Sequence, residues 1–205
     1  EKPAHRLNVN HLFFKSITTE EQAYWLGFIA ADGNVSGTSL KLMLQEKDVN
    51  HLYKFKSSIQ SGHKIRISEK YHRAEFGLRS EHIIDDLQLY GIVENKSLIF
   101  NPNMDNIPEN LHRHFWRGMI DGDGYISKNR PVITLCGTYE TISKFSDYSW
   151  NLFRCSYAIY CPNSGKNHFR ISIQGQNAKM LITNLYRYSS MYLNRKLEIA
   201  KEYFI

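Results

Sequence analysis

Two aspartates stand out by their setting. Asp32 and Asp123 close segments that read Trp25-Leu26-Gly27-Phe28-Ile29-Ala30-Ala31-Asp32-Gly33 and Trp116-Arg117-Gly118-Met119-Ile120-Asp121-Gly122-Asp123-Gly124. In each, small residues four apart (Gly27 and Ala31; Gly118 and Gly122) leave a strip without side-chain bulk. If both segments are helices, they can cross along these strips until their backbones nearly touch, held by close packing and by burial of the flanking aromatic and aliphatic residues. The crossing brings both carboxylates to the C-terminal ends of the helices, where they repel each other and face the negative ends of two helix dipoles. Such a pair calls for cations. Hard oxygen ligands on a restricted site suit Mg²⁺, which keeps several waters and is completed by substrate phosphates; Mn²⁺ is the expected substitute. An EF-hand is excluded, because Tyr125 and Ile126 stand where a calcium loop wants an oxygen ligand and Gly. A single Asp-Gly pair would read as a turn; two copies at matching points carry more.

The elements that must position these acids follow from periodicity. Thr18-Thr19-Glu20-Glu21 predicts a capping box on Thr18 and Glu21, opening a helix that buries Tyr24, Trp25, Phe28 and Ile29 and is broken by Gly33. Ser39–Gln45 alternates as a strand with Leu40, Leu42 and Leu44 inward, and Asp48 is expected to cap a helix reaching about Ile59. Strands are predicted over His63–Ser68, with Ile65 and Ile67 inward, and over Tyr71–Arg79. Ser80 then caps a helix ended by Gly91. Residues 100–110 hold two Pro and four Asn, the mark of a linker. Beyond it the order returns: a helix ending at Asp121 and broken by Gly122-Asp123-Gly124, a strand over Val132–Cys136, a helix over 138–153, a strand over Phe169–Gln174, and a helix over 177–187 leading to Leu193-Asn194-Arg195-Lys196. The chain therefore reads as an α+β fold made by duplicating one αββαββα unit. Its parts are a lead-in over 1–17, a first repeat over 18–99, the linker over 100–110 and a second repeat over 111–205. Asp123 lies 91 residues after Asp32, while Arg195 lies 99 after Lys96; a longer loop around Cys161–Asn167 absorbs the difference.

Composition narrows the function classes. With 205 residues, 42% of them hydrophobic and 22% charged, the chain can bury a core and is not disordered. A net charge of +6 leans towards an anionic partner. Cys136, Cys155 and Cys161 are odd in number and contain no C-x-x-C pair, which argues against a disulfide framework or a zinc site. No apolar run approaches the ~18 residues of a membrane span, and the first residues do not form a signal peptide. The expectation is an intracellular protein, cytoplasmic or organellar, with no membrane partner. An opening Glu in place of Met leaves room for a further N-terminal module. One acid per repeat gives a near-symmetric pair of metal sites on a basic protein. The matching substrate is duplex DNA, whose strands are related by local two-folds, and the expected activity is a nuclease.

The paired motifs resemble the two signatures of the single-chain LAGLIDADG (dodecapeptide) homing endonucleases, and the similarity in element order covers about residues 19–203. The second copy is the closer match; the first carries Ala30 where the family pattern has Asp. The resemblance implies a monomeric, site-specific double-strand DNA endonuclease of intron or intein mobility that cuts across the minor groove and leaves short 3′ overhangs. It implies metal binding by Asp32 and Asp123 together with the carbonyls of Ala31 and Gly122. A basic residue after the last helix of each repeat would polarise solvent or steady the phosphate: Lys96 in the first, and either Arg195 or Lys196 in the second. Glu46, Gln174 and Arg79 are the strand-end residues expected to order a water pocket. In that chemistry a divalent ion lowers the pKa of water for in-line attack on phosphorus. The outward strand faces would read DNA in the major groove, through Lys41, Gln45, Lys64, Arg66, Arg73 and Arg79 in one half and Lys128, Arg130, Arg170 and Gln174 in the other. Residues 1–103 carry 13 basic and 12 acidic side chains and residues 104–205 carry 13 and 8, so a long asymmetric target is expected in place of a palindrome. Two alternatives remain: a cleavage-inactive DNA- or RNA-binding protein on the same scaffold, such as an intron maturase or a regulator, and an enzyme using the two Asp as acid and base on another substrate.

Overall fold

The computed structural model describes residues 8–162 and 166–205. The first seven residues of the expected lead-in, and residues 163–165 of the expected long loop, lie outside the described residues. Helix α1 (Glu20–Asp32) starts one residue later than the capping pattern predicts. Thr19 is the N-cap: its hydroxyl accepts from the Gln22 amide at 3.2 Å, and Gln22 Oε1 accepts from the Thr19 amide at 3.1 Å. With Gln22 closing the box, Glu20 and Glu21 are free for other partners. Gly33 does not end the helix through a left-handed turn, as its φ is −75°. It is required because a Cβ there would stand 2.5 Å from the Ile29 carbonyl oxygen as the chain turns straight into strand β1 (Gly33–Ser36).

The first half continues with β2 (Ser39–Gln45), α2 (Val49–Ser58), β3 (Arg66–Ser68), β4 (Arg73–Arg79) and α3 (Glu81–Leu89). The second repeats the order as α4 (His112–Asp123), β5 (Gly124–Ile126), β6 (Val132–Gly137), α5 (Tyr139–Phe153), β7 (Ile159–Tyr160), β8 (Phe169–Gln174) and α6 (Gly175–Tyr186), followed by α7 (Asn194–Lys201). The strands form two antiparallel sheets ordered β1-β2-β4-β3 and β5-β6-β8-β7. Each sheet buries one face, through Leu40, Leu42, Ala74, Phe76 and Leu78 in the first and Ile133, Leu135, Ile171 and Ile173 in the second. Strands β1, β5 and β7 have two to four residues, too few for alternation to reveal. α4 runs to Asp123, two residues beyond the expected stop, because Gly122 sits inside a helix–helix contact and does not act as a terminator there.

Three local expectations need correcting. β3 begins at Arg66, so Lys64 precedes it in coil; as a three-residue edge strand it leaves Ile67 49% exposed. Asp48 does not cap α2 with its side chain, and its carboxylate accepts from Arg195 Nε at 3.0 Å. Lys128 and Arg130 lie in the turn between β5 and β6, off the strand face. No helix of the described residues is long and apolar enough to cross a membrane.

Candidate active site

The two halves meet where α1 crosses α4. A Cβ added at Gly27 would overlap the Phe115 carbonyl oxygen, one at Gly118 would overlap the Tyr24 carbonyl oxygen, and one at Gly122 would overlap the Ala31 methyl. The four residues expected at the interface, Gly27, Ala31, Gly118 and Gly122, thus all lie in it: Gly27 and Gly118 meet main-chain atoms of the other helix, and Gly122 meets the Ala31 methyl. Trp25, Phe28, Phe115 and Trp116 are fully buried around them; each ring contributes roughly 2 kcal/mol through the area it removes from water. The crossing places the acids together: a Cβ on Gly122 of α4 would stand only 3.5 Å from the carboxyl carbon of Asp32 on α1.

Asp32 and Asp123 reach solvent. Among the described residues no hydrogen bond or ion pair involves either carboxylate. Protein crowds them from behind, and this burial, followed by the charge of Asp123, pushes the Asp32 carboxyl up to about 6. Burial likewise raises Asp123. Lys96 and Lys196 oppose both shifts without hydrogen bonding to either acid.

The lysines instead take carbonyls at the helix ends, where no intrahelical donor remains. Lys96 Nζ donates to the Ala31 carbonyl at 3.3 Å. Lys196 Nζ donates to the carbonyls of Ile120, of Asp121 at 2.8 Å and of Gly124 at 2.8 Å. Both side chains are buried, which lowers their pKa values, that of Lys196 to about 8. The register of α7 therefore turns Lys196 into the site, while Arg195 points outward to Asp48. Arg195 still acts on Asp32 through its charge. The Ala31 carbonyl, expected to face a metal, has one lone pair engaged by Lys96; the Gly122 carbonyl is bypassed by Lys196.

The strand-end residues are not gathered here. Gly33 pairs with Leu42 and, through it, with Phe76 of β4, whereas Arg79 pairs with Ser39 at the hairpin end. That is three rungs, or ~10 Å, further from the acid. Gln174 occupies the matching place, opposite Val132, three rungs from the Gly124–Leu135–Ile171 row. Glu46 begins a 3-10 turn after β2, its carboxylate 3.7 Å from His72. Lys41, Gln45, Arg66, Arg73 and Arg79 do share the outward face of the first sheet, where Lys41 pairs with Glu75 at 3.7 Å. Arg170 and Gln174 share that of the second. Arg73 lies over the Tyr71 ring and Arg170 over the Tyr160 ring, at 4.9 and 5.1 Å.

Two features escape a reading of the sequence. A cavity of about 260 Å³ beside Asp123 is lined by Lys96, Cys136, Thr138 and His168, and His168 draws the Asp123 carboxyl down. A polar network also lies beneath the acids. Asp121, fully buried, accepts from the hydroxyls of Tyr24 (2.7 Å) and Tyr186 (2.6 Å) and from the Leu193 amide (2.7 Å). Arg117, equally buried, donates to Glu20 Oε1 and to the carbonyls of Leu185 and Met191, each at 2.7 Å. The available signal was two charges four apart on a helix whose remaining face is small or apolar.

No protein-family model and no curated protein matches the sequence. Solved structures do. The I-LtrWI LAGLIDADG homing endonuclease bound to target DNA superposes with a TM-score of 0.60 at 12% identity, over 90% of this chain and 88% of that one. The chain has the LAGLIDADG fold. The LAGLIDADG meganuclease I-AabMI, bound to uncleaved DNA, matches with a TM-score of 0.59 at 15% identity, over 91% of this chain and 89% of that one. Full-length DUF199/WhiA from Thermatoga maritima matches with a TM-score of 0.57 at 13% identity; 95% of this chain is covered but only 63% of that protein. At these identities the likeness establishes the LAGLIDADG fold and nothing finer.

Proposed function

We propose that the protein is a metal-dependent, site-specific double-strand DNA endonuclease that acts as a monomer, cutting a long asymmetric target to leave short 3′ overhangs, as expected of a homing endonuclease. One observation carries the reading. Two carboxylates, one from each half, meet at paired helix ends without a hydrogen-bond donor on either, and their charge is unfavourable as it stands. Such a site fits a divalent cation. Two carboxylates beside main-chain carbonyls suit Mg²⁺, an ion commonly held by one or two carboxylates plus water and substrate phosphate, with Mn²⁺ as a substitute.

Asp32 and Asp123 would hold the cation, aided by main-chain carbonyls of the helix ends. When bound, the ion supplies Lewis acidity to phosphoryl oxygens and lowers the pKa of water. The chain's own residues do the rest. Lys96 and Lys196, both buried, would place positive charge where a phosphate develops negative charge, fixed in advance by their carbonyl partners. The outward sheet faces carry the cations that would lie along the groove, and the different side chains of the two faces support an asymmetric target.

The second reading is a DNA-binding protein without cleavage on the same scaffold, since the likeness to solved structures reaches the fold alone. The intact pair of acids favours cleavage. Asp32→Asn and Asp123→Asn decide between them: each is expected to abolish double-strand cutting while DNA binding survives. Cutting that persists in both variants overturns the assignment of the site.

A further inference from the structure

Chain next to each of the two lysines at the site is held by a lysine on a helix of the opposite half. Helix α2 belongs to the first half, yet Lys54 Nζ donates to the Tyr192 carbonyl at 3.0 Å and to Asn194 Oδ1 at 2.8 Å, at the start of the helix that carries Lys196. Helix α5 belongs to the second half, yet Lys144 Nζ donates to Asn101 Oδ1 at 2.8 Å and to the Pro102 carbonyl at 2.6 Å, in the segment that follows the Lys96 turn. Lys54 and Lys144 are sixth in α2 and in α5, and each engages one Asn side chain and one main-chain carbonyl.

The residue preceding each helix repeats the arrangement. Asp48 pairs with Arg195, next to Lys196. Thr138 donates to the Phe100 carbonyl at 2.5 Å, and the Phe100 amide in turn donates to the Lys96 carbonyl at 2.8 Å. Helix α2 thus holds the segment that leads into Lys196, and α5 holds the start of the linker that follows Lys96. The held positions differ: Tyr192 and Asn194 precede Lys196 by four and two residues, whereas Asn101 and Pro102 follow Lys96 by five and six.

We infer that Lys54 and Lys144 are positioning residues acting in trans: Lys54 of the first half sets Lys196 of the second, and Lys144 of the second half sets Lys96 of the first. Each half's site is complete only when the other half is docked against it. The functional meaning of Lys96 and Lys196 rests on the nuclease reading; the crosswise clasp itself does not.

The test combines two measurements on the full chain with Lys54→Met, Lys144→Met, and, as milder variants that keep both lysines, Asn194→Ala and Asn101→Ala. In the first, limited amine acetylation at neutral pH is quantified residue by residue by mass spectrometry. Removing the charged hydrogen bond that holds the adjacent segment should raise the modification rate of the site lysine beside it by about tenfold. Lys54→Met and Asn194→Ala should expose Lys196 and leave Lys96 unchanged; Lys144→Met and Asn101→Ala should do the reverse, and Lys54→Arg should restore protection. Equal exposure of both lysines, as general loosening would give, or no exposure of either, overturns the clasp. In the second, a duplex target labelled separately on each strand is cut in a single turnover. Lys54→Met should slow one strand and Lys144→Met the other, whereas equal slowing of both strands by each variant overturns positioning in trans. A wild-type chain that cuts no duplex while the crossed acetylation pattern holds refutes the nuclease reading and leaves the clasp standing.

Discussion

Replacing Asp32 with Asn should make the metal-free protein more stable at neutral pH. The folded protein raises this carboxyl from 3.8 to about 6, first by burial and then by the charge of Asp123. A raised carboxyl favours the folded state while it is protonated, and that contribution is lost as pH rises through about 6. At pH 7.5 the ionised group carries its full unfavourable charge. In a dry site a shift of this size would amount to about 3 kcal/mol; Asp32 reaches solvent, so screening reduces the expected effect to about 1 kcal/mol. For a domain of this length that is a rise of roughly 2–4 °C in melting temperature. The gain should shrink to about a third at pH 4.5 and vanish below about pH 3, where both states are protonated. Scanning calorimetry of the wild type and Asp32→Asn at pH 7.5 and 4.5, without divalent ions, measures it. Mg²⁺ at pH 7.5 should then stabilise the wild type and not the variant, since a cation that binds only the folded site raises its stability. An Asp32→Asn protein that melts lower than the wild type at pH 7.5, or that gains as much from Mg²⁺, would refute the electrostatic account of the site.

Other perturbations probe the remaining parts. Lys96→Ala should slow single-turnover cleavage at least tenfold while changing DNA affinity by less than about threefold, a split read by rate and titration on one duplex. Gly118→Leu should cost about 3 kcal/mol or more, because any Cβ there overlaps the Tyr24 carbonyl; thermal melting checks it, and an unchanged midpoint contradicts the close crossing. The ammonium of Lys196, lowered to about 8 by burial, should be lost as pH climbs through that value. The wild-type cleavage rate should fall there, whereas Lys196→Arg should lack the fall; a pH–rate profile from 6 to 9.5 compares them.

The features legible in the sequence are those whose signal is local. The small-residue strips and the terminal Asp-Gly pairs fixed the crossing and the acids, and alternation over Ser39–Gln45 and Phe169–Gln174 located the central strands β2 and β8. Short elements stayed hidden, since Gly33–Ser36, Gly124–Ile126 and Ile159–Tyr160 are defined by their partners and not by their own pattern. The choice between Arg195 and Lys196 depended on the rotation of α7, which Lys54 and Asp48 set from the other half. Arg79 and Gln174 were expected at the wrong end of their strands, because alternation gives a strand's faces but not which end meets the acids. Asp121, Arg117 and Glu20 were passed over because a charged residue in a helix ordinarily faces water; here the carbonyls of neighbouring segments and two tyrosine hydroxyls receive them.

The most direct test of the central claim is selection from a randomised duplex library incubated with the protein and Mg²⁺, followed by sequencing of cleaved ends. Enrichment of one long asymmetric site, cut on both strands with short 3′ overhangs, is expected from the wild type, and no enrichment from Asp32→Asn or Asp123→Asn. A library left uncut by the wild type with either Mg²⁺ or Mn²⁺, or cut equally by the two variants, would contradict it.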